Sequence, residues 1–258
     1  MTENDDEQLW LRCYRPAPES KFRLLCLPHA GGSASYYLPF AQSLAPEIEV
    51  LAVQYPGRQD RRDERCVTSI DELADQLLRS VGPRLDASTA LFGHSMGAVL
   101  AFEFARRMEQ ETGFTCAGIF ASGRRAPSCH RHEGVHRRDD SGILSELADL
   151  GGTDPRLFED EELLRSYLPA LRADYRAIET YRGEVNAMVD CSITAMVGET
   201  DPRTTLDEAQ AWSGHTTGKF TLWSFPGGHF FLDGNHTQVT RLIRSQLLGA
   251  TTEPRSAS

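Results

Sequence analysis

Serine, carboxylate and histidine side chains can together do covalent acyl transfer, and this 258-residue sequence offers a candidate of each type at Ser95, Asp201 and His229. A serine hydroxyl is a weak nucleophile until a histidine takes its proton, and the histidine works best when a carboxylate holds it in one tautomer. Ser95 lies in ALFGHSMGAVLAFE (90–103), where Gly-x-Ser-x-Gly separates an apolar stretch from helix-forming residues. In a chain with 21 Gly and 19 Ser, that five-residue pattern arises by chance roughly 0.1 times. Taken alone, Ser95 is therefore equally well a small residue in a tight turn, and its role rests on what surrounds it.

The elements that would position these residues alternate along the chain. FRLLCL (22–27), IEVLAVQ (48–54), TALF (89–92), AGIFAS (117–122), SITAMV (192–197) and KFTLWSF (219–225) read as strands. Helical patterns fall near 34–45, 68–80, 96–111, 205–213 and 236–248, and LWLRCYR (9–15) fits an antiparallel edge strand ahead of the series. Continuous apolar strands separated by helices predict an α/β fold with a mainly parallel central sheet covered on both faces. Sites on such sheets gather at the carboxyl ends of the strands.

Placed on that frame, the residues fall into order. STALF, GHSMG and AVLAFEFARRM make a strand, a sharp turn and a helix, the context of a nucleophile elbow, in which flanking glycines remove clashing side chains and the helix N-terminus lies under the hydroxyl. In the α/β-hydrolase fold the acid and then the histidine follow the nucleophile. Asp201 follows SITAMV in GETDPRT, where Pro202 can fix a turn presenting it. Glu199 is chemically competent, Asp190 precedes the strand at its wrong end, and Asp233 suits a solvated loop. His229 follows KFTLWSF in WSFPGGHFFLDGNH, while His236, at the start of the last helical pattern, is the weaker candidate. PHAGGSASYY after FRLLCL supplies a Gly-rich loop able to aim backbone N–H groups at a carbonyl oxygen, as the N–H of Met96 can from the helix start.

Bulk properties narrow the class. Hydrophobic residues are 40% and charged residues 25% of the chain, as in ordinary globular proteins. No apolar run approaches the roughly 20 residues of a membrane span. MTENDDEQ lacks the features of a signal peptide, so a cytoplasmic location is expected. The formal charge of −10 disfavours nucleic acid as a partner. The six cysteines are scattered without metal-ligand spacing, which disfavours structural zinc and a disulfide scaffold. A single domain over 9–249 is expected, with disordered ends at 1–8 and 250–258.

About 70 residues separate AGIFAS from SITAMV, more than a crossover needs. They read as helices, GILSELADL (142–150) and DEELLRSYLPALRADYRAIETY (160–181), the second interrupted near Pro169. A helical insertion at about 126–182 is the expected place for a lid. Five arginines, Arg124, Arg125, Arg131, Arg137 and Arg138, precede an acidic run containing Asp139, Asp140, Glu146, Asp149, Asp154, Glu159, Asp160, Glu161 and Glu162. Such runs are usually solvated surface, yet a basic patch at the mouth of a site can receive an anionic partner.

LPHAGGSASYY, VQYPGRQDR, FGHSMGA, SGRRAPS, LPALRADYRAIETY, GETDP and GGHFFL together resemble the type II thioesterases of polyketide and nonribosomal peptide synthesis, over about residues 10–248. The resemblance implies hydrolysis of acyl groups carried as thioesters on the phosphopantetheine arm of acyl or peptidyl carrier proteins, an editing role that frees stalled synthases. It implies Ser95, Asp201 and His229 as the triad and the N–H groups of Ala30 and Met96 as oxyanion donors; no cofactor and a monomer are also expected. Since carriers of this kind are generally acidic, it also gives the five arginines a possible docking role. Competing expectations are a free-standing esterase or acyl-CoA thioesterase, an acyltransferase passing the acyl group to an acceptor other than water, and a non-catalytic binding protein.

Overall fold

The computed structural model describes residues 9–151, 161–184 and 186–249. Seven strands form one sheet: β1 (Leu11–Arg12), β2 (Phe22–Leu27), β3 (Ile48–Val53), β4 (Thr89–His94), β5 (Gly118–Ser122), β6 (Ile193–Gly198) and β7 (Phe220–Phe225), in the order β1-β3-β2-β4-β5-β6-β7. Six of them are parallel; β1 pairs antiparallel with β3 through Leu11–Val53 and Arg12–Ala52. The edge strand expected over 9–15 is thus only two residues long, and the other strands fall within one or two residues of expectation.

The helices are α1 (Leu38–Leu44), α2 (Ile70–Val81), α3 (Met96–Thr112), α4 (Asp140–Leu150), α5 (Glu161–Thr180), α6 (Leu206–Gln210) and α7 (Phe231–Leu248). Alternate strand residues point to opposite faces, so each strand feeds two cores. Leu25, Leu27 and Leu91 pack with α2 and α3 residues such as Leu73, Leu77 and Phe102. Leu24, Cys26 and Phe92 pack on the other face with Phe40 and Leu44 of α1 and Val239 and Ile243 of α7. All six cysteines are free, and Cys26, Cys116 and Cys191 are buried among these apolar residues. No helix of the described residues is long and apolar enough to cross a membrane.

Two expectations need correction. The last helix starts at Phe231, five residues early, because Asn235 bridges a kink by donating to the carbonyls of Pro226 and Phe231, each at 2.8 Å. Helix α5 runs unbroken through Pro169. A proline there removes one backbone donor, and the helix is held by its other face: Leu168, Leu171 and Tyr175 pack with Val135, Ile143 and Leu147 in a separate core belonging to the insertion. Of the insertion's acidic run, Asp154, Glu159 and Asp160 lie outside the described residues, as do the two ends expected to be disordered.

Candidate active site

The turn between β4 and α3 holds Ser95 at φ 54°, ψ −115°, a strained conformation for a non-glycine residue. Two glycines make that turn possible. A Cβ on Gly93 would sit 2.0 Å from the Gly97 carbonyl oxygen, and one on Gly97 would sit 2.0 Å from the Leu27 carbonyl oxygen. The turn is pinned to β5 by the Ser95 N–H, which donates to the Ser122 carbonyl at 2.8 Å. The strain therefore presents the hydroxyl in one direction.

His229 meets it there. Its Nε2 lies 3.0 Å from Ser95 Oγ, and its Nδ1 lies 3.0 and 3.1 Å from the two carboxylate oxygens of Asp201. The Asp201 side chain is fully enclosed and the His229 ring nearly so. Asp201 follows β6 in a turn closed by its own Oδ1, which accepts the Arg203 N–H at 2.7 Å across Pro202. The His229 loop crosses close beside it: a Cβ on Gly198 would lie 2.1 Å from the Gly228 carbonyl oxygen. The three residues read from sequence are thus brought into one hydrogen-bonded chain.

The alternatives fall elsewhere. His236 lies within α7 with its ring edge-on to Phe40 at 5.0 Å. Asp190 accepts from the Thr217 hydroxyl beyond the other end of β6. Asp233 accepts the Tyr36 hydroxyl at 3.0 Å, and burial pushes its carboxyl up. Glu199 is exposed.

Ala30 follows β2, and Met96 is the first residue of α3. Among the described residues neither N–H is donated to another protein atom. A cleft of about 480 Å³, open to solvent, exposes Ala30, Ser95 and His229 beneath Leu147 and Tyr175 of the insertion. Backbone N–H groups left without a protein acceptor beside a serine hydroxyl are what stabilisation of a developing oxyanion requires.

The five arginines do not make one surface patch. Arg124 and Arg125 are buried, because their segment turns inward after β5. Arg125 donates to Glu133 at 3.0 Å and to the Arg203 carbonyl at 3.2 Å. Arg131 forks onto Glu208 at 2.6 and 2.7 Å, and Arg138 pairs with Glu146 at 3.1 Å. Arg137 is exposed. Arg124 lines the cleft with no ion pair and its Nε unsatisfied among the described residues, and burial, then Arg125, brings its guanidinium down to about 9. Burial works to raise the Glu133 carboxyl, yet Arg125, Arg124 and Arg203 hold it at about 2.

Several supporting residues escaped sequence reasoning. His94, inside the Gly-x-Ser-x-Gly run, is fully buried with Nδ1 3.0 Å from Ser122 Oγ, and its ring lies 5.2 Å from that of His229. Burial, and then His229 and His29, push it well below the ordinary histidine value; His29 is brought by burial to about 3. Both rings are therefore neutral at pH 7. Arg58 and Asp174 form a buried bidentate pair with oxygens at 2.6 and 2.9 Å. No sequence signal singled out that pair: LRADYRAI carries Arg172 and Arg176 as well as Asp174.

The Thioesterase domain family model matches residues 22–247. Thioesterase PikA5 of Streptomyces venezuelae is 47% identical over 246 residues, covering 95% of this chain and 88% of its own. The type II thioesterase BorB from the borrelidin biosynthetic cluster superposes with a TM-score of 0.87 at 50% identity, over 93% of this chain and 98% of its own. RedJ, a thioesterase from the prodiginine pathway of Streptomyces coelicolor, does so with a TM-score of 0.83 at 34% identity, over 90% and 88%. This chain belongs to the thioesterase-domain family, and its fold is that of the α/β-hydrolase thioesterases.

Proposed function

We propose that the protein is a type II thioesterase that hydrolyses acyl groups from the phosphopantetheine arm of carrier proteins, with Ser95 as nucleophile, His229 as base and Asp201 as its orienting acid. The observation that carries this is the continuous Asp201–His229–Ser95 chain, all contacts at 3.0–3.1 Å, with Ser95 strained toward the cleft. His229 Nε2 takes the Ser95 proton as Oγ attacks the thioester carbonyl. The tetrahedral oxyanion is held by the Ala30 and Met96 N–H groups, reinforced by the positive end of α3. Asp201 stabilises the imidazolium. The oxyanion collapses, the C–S bond breaks, and the arm leaves as a thiol with the proton from His229. Water, deprotonated by His229, then attacks the acyl-serine; the acyl C–O bond breaks, His229 returns the proton to Ser95 Oγ, and the acid is released.

The likeness to BorB, a type II thioesterase from a biosynthetic cluster, supports an editing role for this chain. The partner is then an acyl or peptidyl carrier, and the insertion serves as a lid above the cleft. Of the five arginines, Arg137 and Arg138 are the ones on the surface that an acidic carrier can reach.

The test is release of the acyl group from a propionyl-phosphopantetheine carrier, followed by mass spectrometry. Wild type should release it, and Ser95→Ala should be slower by on the order of 10⁴–10⁶-fold, as for loss of a triad nucleophile. Equal release by the two proteins would eliminate Ser95 as nucleophile. Cleavage of small esters alone would make this an esterase, and transfer to an added thiol or amine in place of water would make it an acyltransferase.

A further inference from the structure

The loop that carries Ala30 is held from the insertion. Gly31 lies at φ +77°, a conformation with alternatives open to glycine, so the local chain does not by itself set the peptide next to Ala30. Three residues on one face of α5 do. A Cβ on Gly31 would lie 2.2 Å from Tyr167 Oη and 2.8 Å from Leu171 Cδ1, so the helix is pressed against the loop at this point. One turn further, Asp174 Oδ2 accepts the Gly31 N–H at 2.8 Å.

Asp174 is itself held. Arg58 forks onto both of its oxygens at 2.6 and 2.9 Å and also donates to the Gly32 carbonyl at 3.1 Å. Arg58 therefore grips the loop and the residue that grips the loop. Asp174 is 1% exposed and Arg58 7%. A buried ion pair of this kind is seldom more stabilising than apolar residues of the same volume; what it supplies is one permitted geometry.

We propose that Asp174, oriented by Arg58, is the positioning residue of the oxyanion loop: through the Gly31 N–H it fixes the peptide beside Ala30, so the hole is competent only while α5 is seated. This rests on the reading of Ala30 and Met96 as oxyanion donors. Neither Asp174 nor Arg58 is assigned contact with the reacting atoms. Their effect travels through one backbone hydrogen bond.

The test compares two double variants of equal charge and similar volume. Arg58→Met with Asp174→Asn removes the charges but leaves an oxygen to accept the Gly31 N–H. Arg58→Met with Asp174→Leu removes that acceptor as well. The asparagine pair should keep kcat within several-fold of wild type, and the leucine pair should lose on the order of 10²-fold in kcat, the scale of one lost oxyanion donor, with KM changed less than about twofold. Affinity for a trifluoromethyl ketone analogue of the tetrahedral intermediate should fall in parallel with kcat/KM. Wild-type kcat in the leucine pair, equal loss in both pairs, or undiminished analogue affinity would each overturn the proposal. Should the leucine pair fail to fold, Arg58→Met with Asp174→Ala removes the same acceptor with a smaller side chain; unchanged kcat there overturns it equally. Failure of the underlying reading has its own signature: the analogue would not bind wild type, or Ser95→Ala would turn over normally.

Discussion

Acid should destabilise this protein through His29. The ring is enclosed edge-on by Tyr36 at 4.8 Å, Phe230 at 4.9 Å and His94 at 5.8 Å, and its Nδ1 has no partner among the described residues. Burial first, then the charges of His229 and Arg58, bring its pKa from 6.5 to about 3. In the unfolded chain it returns to 6.5, so between those values the unfolded state binds a proton that the folded state refuses. Stability is then complete above about pH 6.5 and falls as the pH drops toward 3. Because the folded value lies well below 5, the loss at pH 5 relative to pH 8 is set by the unfolded chain alone, about 2 kcal/mol for this one ring. His94 adds in the same direction. His29→Phe keeps the edge-on packing and removes the titration. Urea unfolding of both proteins at pH 8 and pH 5 isolates the ring, since every other group is common to both. Wild type should lose about 2 kcal/mol more than the variant over that interval. Equal losses would mean that His29 is charged inside the fold and that the enclosure is misjudged.

Gly97→Ala should cost on the order of 10²-fold or more in kcat, because its Cβ would lie 2.0 Å from the Leu27 carbonyl and the start of α3, with Met96, must lift. Gly113→Ala is the control: it ends the same helix at φ +67° with no neighbour within 4 Å, so it should lower the urea midpoint slightly and leave kcat alone. Arg124→Met should raise thermal stability, since burial and the neighbouring Arg125 outweigh the attraction of Glu133 and Glu179 on a cation with no ion pair among the described residues. A lowered midpoint in calorimetry would show that the folded state compensates this charge.

What could be read from sequence follows from how each feature is encoded. The strands and the elbow are local: apolar β-branched runs set the sheet, and Gly93 and Gly97 flank Ser95 because their own Cβ atoms would strike neighbouring backbone. Asp201 and His229 were legible because topology alone brings the ends of β6 and β7 beside β4 through β5. The supports were not legible. Asp174 reaches Gly31 across 143 residues and Arg58 reaches Asp174 across 116, distances over which no spacing rule operates. The basic run misled for a related reason: five arginines in one stretch look like a surface, yet Arg125 and Arg131 are matched to Glu133 and Glu208, and Glu208 lies 77 residues beyond Arg131. The proline in α5 misled because packing on one face of a helix outweighs a single missing donor on the other.

The three parts of the candidate site are thus secured by two different devices. Ser95 is secured by backbone alone, through glycines and the bond to the Ser122 carbonyl. The Ala30 loop and the turn after Asp201 are also tied by charge to the insertion. Asp174 holds Gly31, while Arg203, two residues after Asp201, pairs with Glu133 at 3.1 Å and with Glu146 of α4. Backbone packing survives as long as the sheet does, whereas these charged supports exist only where α4 and α5 lie against the strand ends. On the proposed reading, the nucleophile is built into the sheet, while the Ala30 loop and the turn after Asp201 also depend on the insertion. A site divided in this way predicts that substitutions in α4 and α5 which loosen these charged contacts lower kcat while leaving the Ser95 turn in place.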